Sequence, residues 1–286
     1  MTSTAYNLHL PARRETAVVF ASPHSGRAYD AAFLKASVLD EHTVRTSEDA
    51  YVDDLLAEIP LIGAALLTAV APRAYIDLNR GADELDPAVV EGARIAAHNP
   101  RVASGLGVIP RVVSGGRAIY RGKLPMDQAR ARIRDWWHPY HDCLQRLLDE
   151  SRAEFGRAIL IDVHSMPHEA MEAIAARPGY RPEIVIGDRY GASASSDIVV
   201  KVEEAFRAEG FRVARNAPFA GAYIAQAYGR PGINQHAIQI ELDRSLYMDE
   251  QLIARRTDFQ QFRDRLMQVM SQIADLGRPE TRLAAE

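Results

Sequence analysis

The sequence predicts an α/β protein: a mixed, largely parallel central sheet with helices on both faces. Three observations carry that prediction. Residues 17–21, 158–163 and 237–240 are short, almost wholly apolar runs, as expected of strands buried on both sides. Amphipathic stretches with three-to-four spacing alternate with such runs along the chain. Each of the three runs also ends in chemically useful residues: His24 after the first, His164 after the second, Glu241 after the third. Ligands of open α/β sheets bind beyond the carboxyl ends of the strands, so these positions are candidate site residues from the outset.

In order, residues 1–16 are expected to be an irregular lead-in, with His9 on the surface. The first strand runs into Ser-Pro-His-Ser-Gly at 22–26, where Gly26 suits a tight turn. The segment 46–56 reads as a loop entering a helix, with Ser47 as its cap and Glu48 and Asp49 in the first turn. Its acids, Glu48, Asp49 and Asp53, either serve the helix dipole or supply a ligand. Residues 64–69 form a further strand. Pro72-Arg73 breaks it, and 74–81 resumes an extended pattern. Arg73 and Arg80 suit carboxylates, whose shape matches a guanidinium fork, or else form surface ion pairs.

Residues 83–100 read as a loop and short helix. The glycine-rich region 105–116 suits a flap, and no Gly-Lys-Ser/Thr follows to make it a phosphate loop. From 126 to 155 a long helix is expected, with Ile133, Trp137, Tyr140, Leu144, Leu147 and Leu148 on its apolar face and a kink at Pro139. His138 and His141 flank that proline, at the edge of the packing face or, for His141, against substrate. A strand at 183–188, a helix ended by Gly210, a strand at 211–214 and a long loop at 216–232 follow. The last helix carries Phe259, Phe262, Leu266, Val269, Met270 and Ile273, and the chain is expected to fray from Arg278.

Composition bounds the rest. The 286 residues are 47% hydrophobic and 25% charged, without repeat or linker, and are expected to form a single domain over 1–286 with its core at about 17–276. A net charge of −4 points away from nucleic acid. No apolar run approaches the roughly 20 residues of a membrane helix. The lone cysteine, Cys143, cannot form an internal disulfide, and residues 1–10 lack a signal peptide's pattern. A cytoplasmic location is expected, with self-association left open.

Two histidines and carboxylates at strand ends are materials for a catalytic metal, which takes three protein ligands and leaves a position for water. The spacing is not a compact metal motif, so the residues alone leave the metal reading open.

Five motifs, in order, resemble the N-formylglutamate amidohydrolase family: Ser-Pro-His-Ser-Gly at 22–26, Glu-Asp-x-x-Val-Asp at 48–53, Asp-Leu-Asn-Arg at 77–80, Asp-x-His-Ser-Met-Pro at 162–167 and Gln-Ile-Glu-x-x-Arg-Ser-Leu-Tyr-Met at 239–248. The resemblance spans about 17–250. It implies a fold similar to the zinc carboxypeptidases and aspartoacylases. It also implies a zinc-dependent hydrolase, or one using another divalent transition metal, that cleaves N-formyl-L-glutamate to formate and glutamate in histidine breakdown. By that resemblance His24, Asp49 and His164 are the metal ligands, with Glu48 and Asp53 as alternatives for the carboxylate. Glu241 is the general base and Arg73 serves the oxyanion. Asn79 and Arg80 grip a substrate carboxylate, with Arg244, Tyr223 and Gln239 also assigned to substrate binding. For Arg244 an ion pair with Asp243 or Asp249 is the alternative. Asp53 or Asp162 is expected to orient a histidine. One departure stands out: the carboxypeptidases place their carboxylate ligand three residues after the first histidine, and here that residue is Arg27. Cleavage of another small N-acyl amino acid or peptide amide, and a catalytically silent ligand-binding protein, are the other readings.

Overall fold

The apolar run at 158–163 is the middle of the sheet. In a computed structural model, which describes residues 4–94, 99–174 and 181–279, it belongs to a nine-residue strand, Ala158–Met166, buried along its whole length. In chain order the strands of the main sheet are β1 (Tyr6–His9), β2 (Val18–Ser22), β3 (Ala65–Ala69), β4 (Ala158–Met166), β5 (Ile184–Gly187), β6 (Val213–Arg215) and β7 (Gln235–Asp243). They form one sheet in the order β1-β3-β2-β4-β7-β5-β6. β3, β2, β4 and β7 run parallel. β1 and β5 join antiparallel, and β6 runs with β5. The sheet is mixed and largely parallel, as predicted.

Alternation along each strand sends apolar side chains into two layers. Val18, Phe20, Ile161, Val163, Ile238 and Ile240 face helices Ser196–Ala208 and Phe259–Asp275. Val19, Ala21, Leu160 and Ala237 face the opposite way, onto the helical run 126–155. That run is α-helical at Met126–Arg132 and His138–Phe155, with a π-helical turn at Ile133–Trp137 between them. Pro139 lacks the N–H that would donate to the Asp135 carbonyl, and the turn just before it is the one that widens. Among the described residues no helix is long and apolar enough to cross a membrane.

Several expectations are corrected. The lead-in is not irregular: Tyr6–His9 pairs with β3 as an edge strand whose residues alternate half-buried and exposed, and His9 is exposed. Residues 74–81 are not a strand. The Pro72 carbonyl accepts from Tyr75 N and Ile76 N, and the Asp77 carboxylate accepts from Asn79 N at 2.8 Å, so local turns replace a ladder. Ser47 caps no helix. It closes a 3-10 turn, Arg45–Ser47, and the next helix, Val52–Leu55, begins only after Tyr51 in the left-handed region (φ 66°). His164 and Glu241 lie inside strands rather than past them. The loop at 216–232 contains a helix, Tyr223–Tyr228. Part of the segment expected as loop and short helix (95–98) and most of the expected frayed end (280–286) lie outside the described residues.

Candidate metal centre

On the face of the sheet that carries Leu160 and Ala237, the next residues toward the carboxyl ends are polar: Asp162 then His164 on β4, Gln239 then Glu241 on β7. Register aligns them as pairs, Asp162 with Gln239 and His164 with Glu241. β2 ends one step earlier, and the turn after it carries His24. Gly26 is required there, because a Cβ at that position would stand 2.1 Å from the Ala71 carbonyl oxygen. The His24 carbonyl accepts from Asp49 N at 3.0 Å, and so brings the third segment to the same place.

The result is a cluster of three atoms. His164 Nδ1 lies 3.1 Å from His24 Nδ1 and 3.1 Å from Asp49 Oδ2, and His24 Nδ1 lies 3.5 Å from Asp49 Oδ2. All three residues are at most 3% exposed. The far nitrogens are held by carboxylates: His24 Nε2 donates to Asp77 Oδ1 at 2.7 Å, and His164 Nε2 donates to Asp162 Oδ2 at 2.9 Å. A carboxylate only accepts, so each Nε2 carries the hydrogen and each Nδ1 presents a lone pair. Two lone pairs and a carboxylate oxygen thus converge on one point, which is repulsive unless a positive charge lies among them. A tetrahedral zinc with ligand bonds of about 2.0–2.2 Å sets its ligand atoms about 3.3–3.6 Å apart. The three observed separations, 3.1, 3.1 and 3.5 Å, lie in or just below that range, and the chemistry of the donors, imidazole and carboxylate, is that of a divalent transition metal. The carboxylates behind the rings complete the usual outer shell of such ligands.

The demand of these carboxylates for positive charge at this point also shows in the electrostatics. Burial disfavours the His164 imidazolium, but Asp162, Asp49 and Glu241 outweigh it and hold His164 well above its usual pKa. Burial also opposes charge on Asp49 and Asp77. The histidines for Asp49, and His24 with Arg73 and Arg80 for Asp77, overcome it and hold both well below the carboxylate range. Glu241 goes the other way: burial, helped by Asp49, raises it above the carboxylate range against the pull of His164 and Arg73.

A cavity of about 490 Å³ opens over the cluster, a volume suited to a small ligand. Glu241, Gln239, Arg73, Asn79, Arg80 and Arg244 all line it. Gln239 Nε2 donates to Glu241 Oε1 at 2.8 Å, and its own Oε1 accepts from Ala222 N at 3.0 Å. Arg73 Nε donates to Asp77 Oδ2 at 3.0 Å. Asn79 Nδ2 lies 3.1 Å from His164 Nε2, and Asn79 Oδ1 accepts from Ile224 N. Arg80 donates to the Leu106 and Asn79 carbonyls.

Other expected residues are elsewhere. Glu48 pairs with Arg45 and Tyr29, and Asp53 with Arg27; neither approaches the two histidines, so Asp49 is the carboxylate brought to them. Arg244 pairs with neither Asp243 nor Asp249: it donates to Asp49 Oδ1 and Ser165 Oγ, both at 3.1 Å, and so fixes Asp49. Tyr223 packs on Trp137 and His141 rather than lining the cavity. His138 is exposed. His141 is buried off the cavity, bonded to Tyr228 Oη and the Leu78 carbonyl, each at 2.9 Å. Sequence reasoning gave Asp77 and Ser165 no role, although both stand inside the quoted motifs. Asp162 was legible, because residues two apart on a strand share a face.

Fold and site together define a mixed α/β protein with a His–Asp–His centre at the carboxyl ends of its parallel strands. The model of the N-formylglutamate amidohydrolase family matches residues 16–248, and the chain belongs to that family. It is 30% identical over 243 residues to N-formylglutamate deformylase of Pseudomonas aeruginosa, covering 84% of this chain and 85% of that protein. It is 29% identical over 237 residues to the Pseudomonas putida protein of the same name, covering 82% of each. Its fold superposes on the crystal structure of N-formylglutamate amidohydrolase from Ralstonia eutropha with a TM-score of 0.89, at 33% identity, over 96% of this chain and 99% of that one.

Proposed function

We propose that the protein hydrolyses the amide bond of N-formyl-L-glutamate, releasing formate and glutamate, as a cytoplasmic step of histidine breakdown. The observation that carries this reading is the convergence of His24 Nδ1, Asp49 Oδ2 and His164 Nδ1 beside a buried glutamate in register with His164. Those three atoms would hold zinc or another divalent transition metal. Such an ion, when bound, polarises a carbonyl and lowers the pKa of a water to about 7.

The chain's own residues do the rest. Glu241, turned by Gln239 and raised in pKa by its burial, takes a proton from the attacking water as the new C–O bond forms. It returns that proton to the amide nitrogen as the C–N bond breaks. Arg73, anchored on Asp77 at the cavity wall, offers its remaining N–H groups to the carbonyl oxygen as negative charge builds there. Asn79 stiffens the turn that presents Arg80, and Arg80 takes a carboxylate of the substrate.

Formate release from N-formyl-L-glutamate, followed through chelation and readdition of zinc, tests the reading. Turnover should vanish with chelator and return with metal. Glu241→Gln should retain bound metal while kcat falls about 10²–10⁴-fold, the usual size of a general-base contribution. Formate release that survives complete metal removal, or a fully active Glu241→Gln enzyme, would refute it.

A further inference from the structure

Four arginines line the cavity, and three of them are engaged inside the protein. Arg73 is bonded to Asp77, Arg244 to Asp49, and Arg80 to the Leu106 and Asn79 carbonyls. The fourth, Arg101, is different. Its side chain forms no hydrogen bond or ion pair among the described residues, yet it lines the same cavity. The acids of the lining, Asp49, Asp77 and Glu241, all lie at the floor with the histidines. None of them bonds Arg101.

The backbone that carries Arg101 is firmly held. It sits on the short helix Pro100–Ala103, capped by the Asn99 side chain. Asn99 Nδ2 donates to Glu84 Oε2 at 2.8 Å, and Arg111 bridges the Ala103 carbonyl to Asp86. Arg80 is tied to the same segment through Leu106 O at 2.8 Å. The Arg80 guanidinium is therefore tethered to the segment that carries Arg101, and both line one cavity. Burial first, then the charges of Arg73 and Arg101, hold Arg80 below the usual arginine range against the pull of Asp77. Two like charges held in one cavity repel, and an anion lying between or beside them relieves that repulsion.

Building on the amidohydrolase reading, we infer that Arg101 is the specificity residue for a dicarboxylic substrate: it receives the distal side-chain carboxylate, while Arg80 takes the carboxylate next to the amide. The cavity is polarised to match. Electrophile-binding groups occupy the floor, apolar residues such as Val112, Val113 and Phe219 line the walls where methylenes would lie, and an unpartnered guanidinium stands among the polar groups at Arg101 and Ser104. A neutral amide of the same length would reach Arg101 without offering it a charge.

The test compares kcat/KM for N-formyl-L-glutamate and N-formyl-L-glutamine in the wild-type protein, Arg101→Gln and Arg101→Lys, with metal content and melting temperature measured on each. The wild type should favour glutamate. Arg101→Gln should lower the glutamate-to-glutamine ratio by about tenfold, the size of one charge-assisted hydrogen bond, mainly through KM for glutamate. Arg101→Lys should keep part of the ratio. An unchanged ratio in Arg101→Gln, or equal losses on both substrates, overturns the assignment of Arg101 alone. No turnover of either substrate by the metal-loaded wild type overturns the amidohydrolase reading beneath it.

Discussion

Asp77 accepts from three directions at once. His24 Nε2 and Asn79 N reach Oδ1, and Arg73 Nε reaches Oδ2. One carboxylate thus sets the tautomer of a candidate ligand, the fold of the turn that carries Asn79 and Arg80, and the aim of Arg73. Replacing it with Asn keeps the size and removes the charge. The expected outcome is a metal affinity weakened about 10–100-fold, as is usual when the partner behind a ligating histidine is lost. Competition with a chromogenic chelator measures it, and an unchanged dissociation constant would remove Asp77 from that role. At this scale the sequence was partly legible. His24, His164 and Glu241 announced themselves by ending apolar runs. Asp49 could not be told from Glu48 and Asp53, because nothing in 48–53 shows that Tyr51 takes a left-handed conformation and turns the later acids away. Asp77's hold on a candidate ligand was hidden because His24 lies 53 residues away in the chain.

The helical run 126–155 clamps the turn at 75–80 from behind. Arg132 Nη1 donates to the Tyr75 carbonyl, His141 Nε2 to the Leu78 carbonyl and Trp137 Nε1 to the Arg80 carbonyl. In an unbroken α-helix, residues 132 and 137 would point about 140° apart at 100° per residue. The π turn between them brings both onto one face. The apolar spacing made this helix legible and Pro139 made its irregularity legible. The type of turn was not, because it follows from where three distant carbonyls lie. His141 also gives this element a pH dependence. Burial pushes its pKa down to about 3, so it is neutral in the fold, while the unfolded chain takes up its proton below about 6.5. The unfolded state therefore binds more protons in acid, and stability is lost as pH falls from about 6.5 toward 3. The cost should reach about 2 kcal/mol by pH 5. His141→Gln, which keeps a donor for Leu78, should show a flatter decline between pH 7 and 5 in denaturant titrations; an identical decline would place the acid sensitivity elsewhere.

Across the whole molecule, the site joins segments that meet only on folding: His24 after β2, Asp49 before the helix Val52–Leu55, His164 in β4 and Glu241 in β7. A metal held by three of them binds the native state and not the unfolded chain, so it adds stability by mass action. At a free concentration 100 times its dissociation constant, zinc should add about 2.7 kcal/mol. The melting temperature should rise with zinc and fall with chelator, and the shift should disappear in His164→Ala. A zinc-independent melting temperature in the wild type would contradict the ligand set. The sheet's parallel core was legible from three apolar runs. Its order was not: β7, the last of the sheet's strands in the sequence, lies beside β4, and β5 crosses to pair antiparallel beyond it.

The cavity's floor is built from β4, β7 and the turns that meet them, and its walls from the segments 101–116 and 218–222. By the roles proposed for these residues, reactivity and choice of substrate are kept in separate parts of the architecture. Grafting a foreign wall onto this floor offers a route to new selectivity with the bond-breaking apparatus left standing, whereas a single slip of the β4–β7 ladder would turn His164 toward the opposite apolar layer and silence the enzyme outright.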